Sequence, residues 1–199
     1  MKKVVLVAVM ALVSFSLFAQ KDDPMTQFES YQKTGKFKVD GNEIVVSKVI
    51  ENIDGSKDDI YIMVKNFFAR NYKDANSVLQ TDDKEAGVVI GKGYFSDIYK
   101  TGNTYFNAYH ILRVDIKDNR VRIICNASTW NVDSPKNKPY GTYNITDYAP
   151  FTDKKIHSFI GKNNHVSAFV NLVNEMHLTI LAFEKSLKNG ALKEEKDDW

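Results

Sequence analysis

The spacing of hydrophobic and polar positions along this chain changes several times, and each change marks an element. Between Thr104 and Trp130 the two kinds alternate about Asp118-Asn119, a dipeptide that tolerates the positive φ of a tight hairpin turn. Pairing about that turn sets Lys117 opposite Arg120. Carried outward, the register gathers Ile116 with Val121, Val114 with Ile123, Leu112 with Cys125 and His110 with Ala127 on one face. The other face takes Asp115 with Arg122, Arg113 with Ile124 and Tyr109 with Ser128. One face is then nearly all apolar and the other holds an opposite-charge pair. A slip of one residue would destroy both patterns, so the register is strongly specified.

Elsewhere the period lengthens to that of a helix. Ile60, Val64, Phe67 and Phe68, with Met63 alongside, predict a helix over 57–72, and Ser56 and Asp59 stand at capping-box spacing at its start. Val166, Phe169, Val170, Val173, Met176, Ile180, Phe183 and Leu187 predict a second helix over 164–188, with Gly190 as its stop. Glu43–Glu51 is rich in β-branched residues and reads as a strand, preceded by a short alternating stretch at Lys36–Val39 and an Asp40-Gly41 turn. Strands near 76–81 and 86–95 follow, separated by the acidic turn Thr81–Glu85. Residues 131–152 hold Pro135, Pro139 and Pro150 with no clean period, and read as a long irregular loop. The order strand, helix, four strands, helix is an α+β pattern: an antiparallel sheet with two helices packed on one face. A single domain is expected over 43–190, after a polar leader over 20–42 that is loose over 20–35 and then holds a possible short strand, and before a solvated charged tail over 191–199.

The stretches VIENIDGSKDDIY (49–61), KEAGVVIGKG (84–93) and VDIKDNRVRIIC (114–125) resemble a family of secreted bacterial domains of unknown function with a TATA-box-binding-protein-like fold. The resemblance extends over about 43–188. Its motifs are structural, namely a capped helix, a Gly-rich strand end and a hairpin. It therefore implies a shape and no activity, catalytic residue or DNA binding.

The chain's start changes the picture. Lys2 and Lys3 precede an apolar and small-residue run from Val4 to Ala19, after which Gln20-Lys21-Asp22-Asp23-Pro24 turns sharply polar. This is the pattern of a secretory signal peptide over 1–19, and it predicts export to the periplasm or the exterior with Gln20 as the first mature residue. No Cys lies near the junction, so a lipoprotein is not expected. No later apolar run reads as a membrane span. The full chain carries 27 basic and 25 acidic residues, and loss of 1–19 removes Lys2 and Lys3 and leaves the two signs equal. Nucleic-acid binders usually carry a basic excess, so nucleic acid is not an expected partner. The single Cys125 allows no internal disulfide, and stability must come from the core.

Candidate chemistry is thin. The four histidines, His110, His157, His165 and His177, form no H-E-x-x-H motif and there is no Cys pair. His165 and His177, twelve residues apart on one helix, are separated by about 18 Å along its axis and cannot share an ion. No G-x-S-x-G elbow occurs, and the start of a dinucleotide pattern at Gly91-Lys92-Gly93 fails at Ser96. No metal, cofactor or catalytic set is read. His110 on the apolar face invites an acid–base reading, against the plainer one of a packed core His. Cys125, mid-strand among apolar residues, reads as inert.

What stands out is aromatic density. Residues 94–109 hold Tyr94, Phe95, Tyr99, Tyr105, Phe106 and Tyr109, and the following loop adds Trp130, Tyr140, Tyr143, Tyr148 and Phe151. Trp130, Tyr140, Tyr143, Tyr105 and Tyr109 are the candidate binding residues, since Tyr and Trp offer large contact area with a polar tip. The plainer reading is a loop held to the sheet by its own Tyr side chains. The functional expectation is a non-catalytic binding or assembly module of the cell envelope, with an envelope protein, peptide or glycan as partner. Two alternatives stay open: a hydrolase around His110 with a distant acid, and a structural domain that pairs through a sheet edge.

Overall fold

The computed structural model describes residues 23–72, 78–134 and 139–190. The expected signal segment 1–19, the charged tail 191–199, Pro135 and the start of the strand expected at 76–81 lie outside them. The described elements are α1 (Pro24–Lys33), β1 (Lys38–Asp40), β2 (Glu43–Glu51), α2 (Lys57–Asn71), β3 (Leu79–Asp83) and β4 (Val88–Thr101). They continue with β5 (Thr104–Lys117), β6 (Arg120–Ala127), β7 (Thr129–Asp133), β8 (Pro139–Asn144), a 3₁₀ turn (Ile145–Asp147) and α3 (Lys162–Gly190). The strands form one antiparallel sheet in the order β1-β2-β6-β5-β4-β3, with β7 pairing the first half of β5 and β8 pairing β7. Eight strands are described where five and a short sixth were expected.

The hairpin register is as the alternation predicts from Lys117–Arg120 to Leu112–Cys125. Asn119 adopts the positive φ that the turn requires, at 59°. The ladder between β5 and β6 ends at Ile111–Asn126, and there the structure departs from the expectation. Pairing resumes as Ala108–Trp130 in β7, one residue out of step with the hairpin. The offset falls between Ala127 and Trp130, and the expected pairs His110–Ala127 and Tyr109–Ser128 are not formed. His110 and Tyr109 instead face Gly93 and Tyr94 across β4. Because side chains alternate across a strand, one residue of offset exchanges the two faces beyond it.

The inner face of the sheet is covered by helices. Leu112, Val114, Ile116, Val121, Ile123 and Cys125 are buried beside Ile44, Val46 and Ile50 of β2. Against them lie Ile60, Val64, Phe67 and Phe68 of α2 and the whole predicted stripe of α3, from Val166 to Leu187. Ser56 caps α2 through the expected box: its hydroxyl accepts from the Asp59 N–H, and the Asp59 carboxylate accepts from the Ser56 N–H at 2.9 Å. The two glycines of Gly91-Lys92-Gly93 have a packing role. A Cβ at Gly91 would sit 2.4 Å from Phe68 Cε1 of α2, and one at Gly93 2.4 Å from His110 Cε1 of β5, so the strand lies this close to the helix and to the neighbouring imidazole only without side chains there.

Three expectations are corrected. The leader is not loose: α1 is capped by Asp23 and buries Phe28 against Phe37, Phe151 and Phe169, with ring centroids 5.6–5.9 Å apart. Tyr31 also donates to Asn174 of α3 at 2.8 Å, so a third helix packs against α3, while α2 and α3 are the two that cover the sheet. The loop expected over 131–152 contains most of β7, β8 and the 3₁₀ turn. Finally, α3 is long and apolar enough to cross a membrane by length and composition, although half of its most apolar stretch is buried within the domain as core.

Candidate functional site

No described helix packs on the outer face of the sheet, and its residues follow from the register. On β4 they are Val88, Ile90, Lys92 and Tyr94. On β5 they are Tyr109, Ile111, Arg113, Asp115 and Lys117, and on β6 Arg120, Arg122, Ile124 and Asn126. Tyr94 and Tyr109 are directly paired, with ring centroids 4.8 Å apart, and are 44% and 47% exposed. At this exposure part of each ring remains open to solvent. The Lys92 ammonium lies 4.3 Å from the centroid of Tyr109, and Lys100 lies 4.9 Å from that of Tyr105. Such cation–π contacts hold a flexible Lys stem against the ring and orient both groups.

A bulge between Phe95 and Tyr99 bends β4 beside this pair, with Asp97 at a φ of 53°. Asn107 on β5 secures it: the Asp97 N–H donates to Asn107 Oδ1 at 2.7 Å, and Asn107 Nδ2 donates to Asp133 at 2.8 Å. Asn107 is a buried polar group with partners on both sides, which makes this end of the face rigid.

The five candidate residues do not share one surface. Tyr105 and Tyr109 are outward, as expected. Trp130 is withdrawn from the candidate site: it is 1% exposed and meets Phe106 edge-on at 5.5 Å. The one-residue offset in front of β7 is the cause, since the uninterrupted hairpin register would have turned Trp130 outward. Tyr143 lies opposite Trp130, half-buried, and its hydroxyl donates to the Tyr140 carbonyl at 2.9 Å. Tyr140, 41% exposed, belongs to a separate aromatic group, 4.7 Å from the His157 ring and 6.5 Å from that of Phe159. The candidate set omits Tyr94 and Lys92. Their alternation with Gly91 and Gly93 was the available signal, because it puts them on the face opposite the glycines.

His110 has the environment of a core residue. It is 3% exposed, stacks on Phe95 with centroids 3.9 Å apart, and its Nε2 is 3.2 Å from the Tyr72 hydroxyl. Burial pushes its pKa down to about 4, and the same burial raises the pKa of Tyr72 and of the Cys125 thiol. A neutral imidazole between two rings has no side open to a substrate, so the hydrolase reading loses its geometry. Among the described residues, no three His, Cys, Asp or Glu side chains converge as a metal site.

Comparison with known proteins agrees with this architecture. Residues 47–128 match the model of a family described as a domain of unknown function (DUF4468) with TBP-like fold. No curated protein matches the chain. Among solved structures, it is similar to a TBP-like protein from Parabacteroides distasonis, with a TM-score of 0.57 and 16% identity over 74% of this chain and 96% of that one. It is also similar to a DUF4468 family protein from Bacteroides ovatus, with a TM-score of 0.51 and 12% identity over 75% of this chain and 91% of that one. At these identities the likeness concerns the fold alone.

Proposed function

We propose that this chain, which carries a domain of unknown function with a TBP-like fold, is an exported, non-catalytic binding module that engages its partner through the open face of the sheet. The observation that carries the reading is the exposed Tyr94–Tyr109 pair, braced by Lys92, on a sheet face that no described helix covers. Paired tyrosines on a rigid strand scaffold present a large amphipathic contact area and lose little side-chain freedom on binding. Export is supported by the Lys2–Ala19 pattern.

The test compares capture of envelope components by the immobilised protein, by Tyr94→Ser/Tyr109→Ser and by Tyr140→Ser/Phe159→Ser. The partner should be retained by the wild-type protein and by the second variant, and lost from the first, with all three melting cooperatively. Retention by the first variant with loss from the second would move the site to the group around Tyr140 and Phe159 and overturn the reading.

A further inference from the structure

The outward positions of the three central strands carry Lys92, Arg113, Lys117, Arg120 and Arg122 against the single acid Asp115. On these three strands cations outnumber acids five to one, and Glu51 of β2 stands on the same face directly opposite Arg120, so the positive charge is local to β5 and β6 rather than spread over the face. Acidic side chains stand at its margins: Glu43 and Glu51 on β2, Asp83 on β3 and Asp118 in the hairpin turn.

Asp115 organises the middle of the patch rather than neutralising it. Its two oxygens accept from Arg113 Nε at 2.8 Å and from Arg122 Nη2 at 2.6 Å, which fixes two guanidinium groups side by side. Asp115 is 17% exposed, whereas the two arginine side chains are 43% and 57% exposed and keep further donors toward solvent. Lys117 and Arg120 make no ion pair among the described residues. Together with Arg122 and Val49 they line a shallow depression on the same face. Half-buried Ile90, Ile111 and Ile124, and Val49 at 53% exposure, lie between the charged groups.

We infer that this face receives an acidic segment of a partner protein, with its carboxylates on Arg113, Lys117, Arg120 and Arg122 and its apolar side chains on the Ile and Val stripe. The inference rests on the reading of the sheet face as the binding surface and adds the chemistry of what binds. Positive charge selects carboxylates and speeds encounter. The aliphatic stripe selects protein over an anionic polysaccharide or nucleic acid, because such polymers present no aliphatic side chains to cover it. Arg and Tyr beside apolar positions is also the composition of protein interface centres.

The probe is a fluorescent synthetic peptide repeating Asp-Leu-Glu-Tyr, titrated with the protein and followed by anisotropy. Its counterpart replaces the acids with Asn and Gln, and dextran sulfate and single-stranded oligothymidine serve as competitors. The acidic peptide should bind at least about tenfold more tightly than the neutral one, and the variant Lys117→Glu/Arg120→Glu should abolish that difference. Both altered residues are exposed and unpaired, so the variant should melt as the wild type does; should it not, Arg122→Gln provides the same readout. Equal binding of the two peptides, absence of binding, or displacement by dextran sulfate or oligothymidine at lower concentration than by unlabelled peptide overturns the inference. Its failure is distinguishable from failure of the wider reading. An envelope partner lost with Tyr94→Ser/Tyr109→Ser but kept by Lys117→Glu/Arg120→Glu would leave the binding face standing and remove its acidic partner.

Discussion

Trp130 and His165 show how much depends on the placement of single side chains. Trp130 has the composition of a binding residue and the burial of a core residue, and a backbone offset of one position separates the two. His165 sits at 1% exposure between Phe106 and Tyr148, with ring centroids 5.8 and 5.9 Å away and neither ring nitrogen partnered. Burial, with smaller contributions from His157 and Lys155, pushes its pKa down to about 4, as burial does for His110. An unfolded His titrates near 6.5, so between about pH 6.5 and 4 the unfolded chain binds protons that the folded one refuses. Stability from this source is complete above about 6.5 and falls as the pH drops toward 4. Asp59, Asp82 and Glu184, whose pKa values are lowered by their hydrogen bonds, act mainly below that window. His165→Phe should remove roughly half of the decline in melting temperature between about pH 6.5 and 4.5. A variant as pH-sensitive as the wild type would show that the imidazole is not refused its proton. Burial of His110 was legible from the alternation; that of His165 was legible only as membership of a helix, because its covering rings, Phe106 and Tyr148, come from distant parts of the chain.

Among the elements, the two long helices and the central hairpin were legible because their patterns are local and repeat many times. The elements that escaped are those whose order comes from neighbours. In α1 the apolar signal reduces to a few anchors, and Phe28 earns its place only through Phe37, Phe151 and Phe169. Replacing Phe28 with Ala should cost about 3–5 kcal/mol in chemical denaturation, the range for a buried Phe, whereas Glu29→Ala on the exposed side should change little. Equal effects of the two would return this segment to the status of a leader. Strand β8 begins at Pro139 and lacks alternation, yet it is held by five register pairs to β7. The sheet's margins also carry a signature: β3 presents Thr81, Asp82 and Asp83, and β2 exposes Lys48 and Glu51, charged positions that discourage pairing with another chain.

For the molecule as a whole, the testable consequence of the sequence is its itinerary. Protein recovered from its host should have the intact mass of a chain beginning at Gln20, and retention of residues 1–19 would remove export from the proposed function. The α+β class, the face that becomes the core, the hairpin register and the two main helices were determined by the sequence alone, since each is written in a local period that one slip would ruin. The tertiary structure decided what no local period encodes. It paired Tyr94 with Tyr109 across β4 and β5, turned Trp130 inward by an offset where β6 passes into β7, and recruited α1 through contacts with residues more than a hundred positions away. It also left without a helix the sheet face on which the hairpin register already puts Arg113, Lys117, Arg120 and Arg122, because which face the helices cover depends on contacts between elements far apart in sequence.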